Sequence, residues 1–138
     1  MKDGLAKWLM LHEGIRLKPY LCSAGRTTIG VGRNLQDNGI SYSEAVFLLE
    51  NDIHQCKQEL LHFEWYSTMP LGVQQALINM CFNLGLTRLL KFERMIKALE
   101  DRNFTLAAKE CLDSKWAEQV GDRAKDVALM IRNSPGGA

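Results

Sequence analysis

The chain has 138 residues, 46% of them hydrophobic, enough to build one compact domain with a real core. Its charges nearly cancel at a formal +1, so no whole-molecule field announces a nucleic-acid partner. No uninterrupted apolar run exceeds that of Ala45 to Leu49, which is far short of a membrane span. No secretory leader is expected, and the expected product is a monomer, soluble where it is made.

The charge is unevenly spread. Residues 1–34 carry six bases (Lys2, Lys7, Arg16, Lys18, Arg26, Arg33) against Asp3 and Glu13, a net +4, whereas residues 35–66 carry Lys57 against six acids, a net −5. A basic front end suits an anionic polymer such as a cell-wall glycan. The four cysteines (Cys22, Cys56, Cys81, Cys111) permit disulfides. Cys56 and Cys81 fall on apolar helix faces, where a thiol acts as a small hydrophobe, and free thiols in a reducing compartment are expected.

In chain order, Asp3 can cap a first helix with apolar positions Leu5, Trp8, Leu9 and Leu11, stopped by Gly14. Two short strands follow, around Leu17–Cys22 and Thr27–Val31, turned by Ser23-Ala24-Gly25. In "TTIGVG", alternation puts Ile29 and Val31 on a core face and Thr28, Gly30 and Gly32 on the other. That second face is one hydroxyl flanked by bare backbone, with room for something bulky. A polar loop from Asn34 to Asn38 ends at Gly39, and Ser41 with Glu44 forms a capping box opening a long helix to about His62. Ala45, Leu49, Ile53, Cys56 and Leu60 recur on that helix at helical spacing.

Pro70 suits the first turn of the next helix, Pro70–Leu84. Val73, Ala76, Leu77, Met80, Cys81 and Leu84 form one apolar face, widened by Leu71, Ile78 and Phe82, which places the helix in the middle of a bundle. Shorter helices are expected over Phe92–Asp101, Thr105–Asp113, Lys115–Glu118 and Asp122–Arg132. The expected class is α+β and mostly helical: a single domain with a small hairpin lobe (about 13–40), a long connecting helix (about 42–62) and a helical lobe (about 68–133) packed with the N-terminal helix. Two lobes joined by one helix make a cleft, where ligands usually bind.

Glu13, Cys22 and Thr28 give the spacing E-x8-C-x5-T across helix end and hairpin. Bond-cleaving sites pair a glutamate with a second carboxylate, yet a cysteine stands at the partner position. Glu before Gly is also a common helix end, and a cysteine near a turn is usually inert. Gln75, Asn79 and Asn83 make an amide stripe at i, i+4 and i+8, suited to sugar hydroxyls and N-acetyl groups or else to capping internal polar groups. His12, His54 and His62 show no metal spacing with the cysteines and no CxxC occurs, so neither a metal nor a cofactor is expected. The glycines of "TIGVG" lack the Lys-Ser/Thr of a phosphate loop.

"HEGIRLKPY…TTIGVG" resembles the phage lysozyme (endolysin) family, glycoside hydrolase family 24. That family's pattern is a glutamate after the first helix, an aspartate nine residues on and a threonine six further; Glu13, Cys22 and Thr28 fall on those positions without a gap. "ALINMCFNLG" (Ala76–Gly85) resembles the family's central helix, and "SKWAEQVGDRAKDVALMIRNS" (Ser114–Ser134) its C-terminal segment. The resemblance implies a lysozyme-like fold and a muramidase acting on the β-1,4 bond between N-acetylmuramic acid and N-acetylglucosamine in peptidoglycan. It implies Glu13 as general acid and Thr28 as a holder of the attacking water. Asn79, Asn83 and Gln119 would line the cleft, and Arg123 would pair with Glu13. A membrane-permeabilising holin would release the enzyme from the host cytoplasm to the wall.

Two positions depart from the family pattern. Arg33 stands where many members have histidine, a change expected to touch structure more than chemistry. Cys22 replaces the aspartate, and its thiolate would supply the same negative charge or activate water. Competing readings are a thiol amidase or peptidase with Cys22 and one of the histidines, and a non-catalytic wall-binding module. A helix-turn-helix DNA binder fits least, since no single helix gathers the basic residues.

Overall fold

The computed structural model describes residues 4–136, so the expected Asp3 cap lies outside the described residues. The class is mostly helical α+β. Helices α1 (Gly4–Glu13), α2 (Leu35–Asn38), α3 (Tyr42–Leu60), α4 (Leu71–Leu84), α5 (Leu86–Leu89), α6 (Glu93–Glu100), α7 (Phe104–Leu112), α8 (Lys115–Val120) and α9 (Asp122–Arg132) accompany strands β1 (Arg16–Leu21), β2 (Thr27–Gly30) and β3 (Arg33–Asn34). The chain divides into two compact units, residues 1–48 and 49–138.

The first unit is a helix followed by an antiparallel sheet in the order β1-β2-β3. α1 ends as Gly14 turns left-handed (φ +75°) and donates its N–H to the Met10 carbonyl at 2.8 Å, a conformation glycine adopts without Cβ strain. β1 and β2 pair with Tyr20 opposite Thr28, and β2 and β3 with Thr28 opposite Asn34. The segment expected as a loop from Asn34 holds β3 and the single turn α2 instead, with Asn34 Oδ1 accepting the Asp37 N–H at 3.0 Å as its cap.

The expected faces of β2 are corrected by the structure. Thr28 is the buried side chain, 3% exposed, while Val31 is 37% exposed. The strand ends at Gly30 (φ +70°), so the alternation read through "TIGVG" breaks before it reaches Val31. Thr28 tolerates burial because its hydroxyl donates to the Arg26 carbonyl at 2.8 Å.

The capping box forms as expected. The Ser41 N–H donates to Glu44 Oε1 at 2.8 Å, and the Glu44 N–H to Ser41 Oγ at 3.2 Å. Arg33 joins it, its two terminal nitrogens each 2.9 Å from a Glu44 carboxylate oxygen and one of them 3.0 Å from the Gly39 carbonyl. This fork ties β3 to the start of α3 and holds the Glu44 carboxyl down at about 2, with the Ser41 N–H as the second cause. Arg33 is thus a structural residue.

The second unit carries the hydrophobic core, with Leu60, Val73, Leu77, Met80, Leu89, Met95, Leu99, Phe104, Val127 and Ile131 among its buried side chains. α4 packs on α9, and α7 on both α6 and α9. The expected face of α4 is buried at Val73, Ala76, Leu77, Met80 and Cys81. Leu71 (68% exposed) and Phe82 are open, so the helix is amphipathic rather than enclosed all round. Along α3, burial is confined to Cys56 and Leu60. A 3-10 turn at Tyr66–Thr68 and the four-residue α5 are additions to the expected elements. All four cysteines are free thiols.

Candidate active site

In the first unit, the end of α1 and the two turns of the sheet present the candidate groups. Glu13 is exposed at the last position of α1. Its carboxylate meets the turn after β2: a Cβ placed on Gly32 would lie 2.9 Å from Glu13 Oε2 and 3.3 Å from its Cδ. Gly32 has φ +67°, so glycine is required there twice over, for the left-handed backbone and for the space the carboxylate fills. Ala6, Leu9, Met10 and Val31 complete an apolar hollow beside Glu13 and Gly32. The sequence marked Gly32 only as bare backbone, and the contact with Glu13 adds it to the site.

Cys22 lies one residue beyond β1, in the turn to β2, rather than at the strand end. Its N–H donates to the Arg26 carbonyl at 3.0 Å and its own carbonyl accepts the Gly25 N–H at 2.9 Å. The side chain is half-buried in this tight turn. The backbone N–H groups of Arg26 and then Ala24 hold the thiol below its ordinary value, against some desolvation, and the Thr28 hydroxyl adds a smaller effect in the same direction. An aspartate would use the same turn in the same way, its carboxylate accepting backbone N–H groups two residues on and beyond. Thr28, on β2, lies beside Cys22; Glu13 meets the turn at the other end of the same strand. His12, the one histidine of the first unit, lies against Trp8 in a tilted pair, ring centroids 5.3 Å apart and planes at 41°.

In the second unit, Gln75, Asn79 and Arg123 line one hollow together with Leu49, Ile53, Ile78 and Phe82. Arg123 Nε donates to Asn79 Oδ1 at 2.7 Å, and its Nη2 to the Asn79 carbonyl at 3.3 Å. Asn83 Oδ1 accepts from Trp116 Nε1 at 2.8 Å. Both asparagines therefore use their carbonyl oxygens internally and keep their Nδ2 donors for other partners, so the amide stripe is part scaffold. Gln119 is exposed and lines a separate hollow with Trp116, Ser114, Phe92 and Arg88. Trp116, buried and hydrogen-bonded to Asn83, is a residue the spacing argument did not single out; its indole N–H needs a partner once buried.

A family model described as phage lysozyme matches residues 10–134. The chain belongs to the phage lysozyme family. Its coarse function is accordingly lysozyme-like, and its enzyme class that of a glycosidase. The phage lysozyme match spans Glu13, Cys22, Thr28, Asn79, Asn83, Gln119 and Arg123 alike. The chain is 26% identical to Probable T4-type lysozyme 1 of Dictyostelium discoideum, over 95% of this chain and 95% of that protein. It is 31% identical to the endolysin of Acyrthosiphon pisum secondary endosymbiont phage 1, over 88% of this chain and 84% of that one. It is also 28% identical to the pre-baseplate central spike protein Gp5 of Enterobacteria phage T4, over 93% of this chain but only 27% of the spike protein. The matched region is thus a minor part of that last relative. Among the described residues no helix is long and apolar enough to cross a membrane.

Proposed function

We propose that this protein is a muramidase that hydrolyses the β-1,4 bond between N-acetylmuramic acid and N-acetylglucosamine in peptidoglycan, and that it lyses a bacterial host from within. The observation that carries this reading is the phage lysozyme match over residues 10–134, within which Glu13, Cys22 and Thr28 stand at the family pattern's glutamate, aspartate and threonine positions. Glu13 acts as the general acid, protonating the glycosidic oxygen. The Cys22 thiolate supplies negative charge beside the oxocarbenium-like transition state and activates the water that attacks the sugar. Thr28 helps hold that water.

Gln75, Asn79, Asn83 and Gln119 bind glycan hydroxyls and N-acetyl groups through their amides, and Arg123, oriented by Asn79, supports the site. The 1–138 chain acts as one monomeric catalytic domain. It is made in the host cytoplasm and reaches the wall through a membrane opened by a holin-type partner. It engages no nucleic acid, makes no stable membrane association and needs no cofactor for hydrolysis.

Digestion of purified peptidoglycan, followed by mass spectrometry of the released fragments, tests the reading. Fragments ending in reducing N-acetylmuramic acid are expected. New free amino groups with intact glycan strands would replace it with an amidase or peptidase, and binding without any release would replace it with a wall-binding module.

A further inference from the structure

Away from the candidate active site, three donor groups of unlike sequence position converge in the second unit. Cys56 and Glu59 stand one turn apart on the same face of α3, and Cys81 faces them from α4. The two sulfur atoms and a Glu59 carboxylate oxygen all lie within 4.8 Å of one another. Both thiols are buried, Glu59 is half-buried, and so the group is dry on the thiol side and open at the carboxylate.

The local field favours a cation. The charged side chains that act on Cys56 are Glu59 and Asp52, both acidic. Among the described residues the Glu59 carboxylate enters no salt bridge and no side-chain hydrogen bond. This patch belongs to the stretch 35–66, whose net −5 the proposed reaction leaves unused. Desolvation pushes the Cys56 thiol up, and pushes Cys81 up to about 12 with Cys56 as the next cause. Without a metal both therefore stay protonated at neutral pH.

We propose that Cys56, Glu59 and Cys81 form a site for a thiophilic divalent cation of the zinc class. Two thiolates and a carboxylate are the donor types such a cation takes, and three protein donors leave its fourth position for water. Bond lengths of about 2.0–2.3 Å place tetrahedral donors about 3.3–3.8 Å apart, so atoms already within 4.8 Å of one another need to close by at most roughly 1 Å. Binding expels the two thiol protons to solvent and changes no oxidation state. The cation then ties α3 to α4 at their buried seam. This inference stands on the second unit alone and does not depend on the muramidase reading.

Titration of the reduced, chelator-treated protein with Cd2+ and then Zn2+ tests it. One Cd2+ per chain is expected, with an ultraviolet sulfur-to-cadmium charge-transfer band that Zn2+ competes away and a rise in the thermal midpoint. Cys56→Ser and Cys81→Ser abolish the band, while Cys22→Ser and Cys111→Ser keep it. Glu59→Gln, at the half-buried edge where folding is least disturbed, weakens binding without removing the band. The site would be overturned by a reduced protein that shows no band, by a band surviving in the Cys56→Ser/Cys81→Ser double variant, or by unchanged affinity in Glu59→Gln.

Discussion

The Gly32 backbone lies against the Glu13 carboxylate so closely that a single added carbon would stand 2.9 Å from Oε2. The helix end and the sheet turn are thereby fixed to each other at the proposed acid catalyst. Gly32→Ala should displace the carboxylate, and a shift of about 1 Å at a reacting group costs on the order of 10²-fold in turnover. Gly30→Ala is the control: it shares a positive φ of 70° but its Cβ meets nothing within 4 Å. Both variants should lose roughly 1–2 kcal/mol of stability to left-handed strain, and only Gly32→Ala should lose most of its activity beyond that. Equal activity in the two, measured on purified peptidoglycan, would detach Gly32 from the site.

Glu44 predicts an acid-sensitive junction. Its folded-state value of about 2 lies below the ordinary 4.5, so the stability it adds is present in full above about 4.5 and is lost as pH falls through about 2. The wild type should therefore melt above Glu44→Gln at neutral pH, with the difference closing as the pH is lowered across that window. A difference independent of pH would mean that the Arg33–Glu44 fork contributes nothing.

Asn83 should be a support for Trp116 before it is anything else. Trp116 is 4% exposed and its Nε1 has the Asn83 oxygen as its partner. Asn83→Ala leaves that donor buried and unsatisfied, at a cost of about 1–3 kcal/mol in denaturant unfolding. An unchanged midpoint would show the indole finding water or another acceptor.

The core of the second unit should distinguish two leucines of one helix. Leu77 is fully buried and Leu71 is 68% exposed. Leu77→Ala is expected to cost about 2–5 kcal/mol, and Leu71→Ala within about 0.5 kcal/mol of nothing. Similar losses at both, read from urea midpoints, would contradict the face assigned to α4.

Where the chain writes a long periodic signal, the sequence was a reliable guide. The Ser41–Glu44 box, the buried face Val73–Cys81 and the bounds of α9 all read correctly, because each repeats a spacing that only a helix satisfies. Short elements left no such trace: β3 has two residues and α5 four, less than any period needs. The Thr28 and Val31 faces were exchanged because Gly30 ends the strand and interrupts the alternation. Of the site, E-x8-C-x5-T was legible as a spacing, whereas the N–H groups around Cys22 and the Glu13–Gly32 approach exist only once the turns are folded. The same holds for Cys56 and Cys81, which meet across two helices and obey no local metal motif.

The Cys22 series, assayed for peptidoglycan release across pH, tests the central claim most directly, with Glu13→Gln alongside as the loss-of-acid reference, expected to fall by roughly 10²–10⁴-fold. If Cys22 works as an anion, Cys22→Asp stays active while Cys22→Ala and Cys22→Ser lose most activity, since neither side chain ionises in the working range. Wild-type activity should rise with pH through a thiol value lowered from 9.0, and in Cys22→Asp that limb should move down to near 4, where a carboxyl ionises. Full activity in a folded Cys22→Ala, with the same pH profile, would contradict the account and leave Cys22 a packing residue beside a Glu13 that needs no anionic partner.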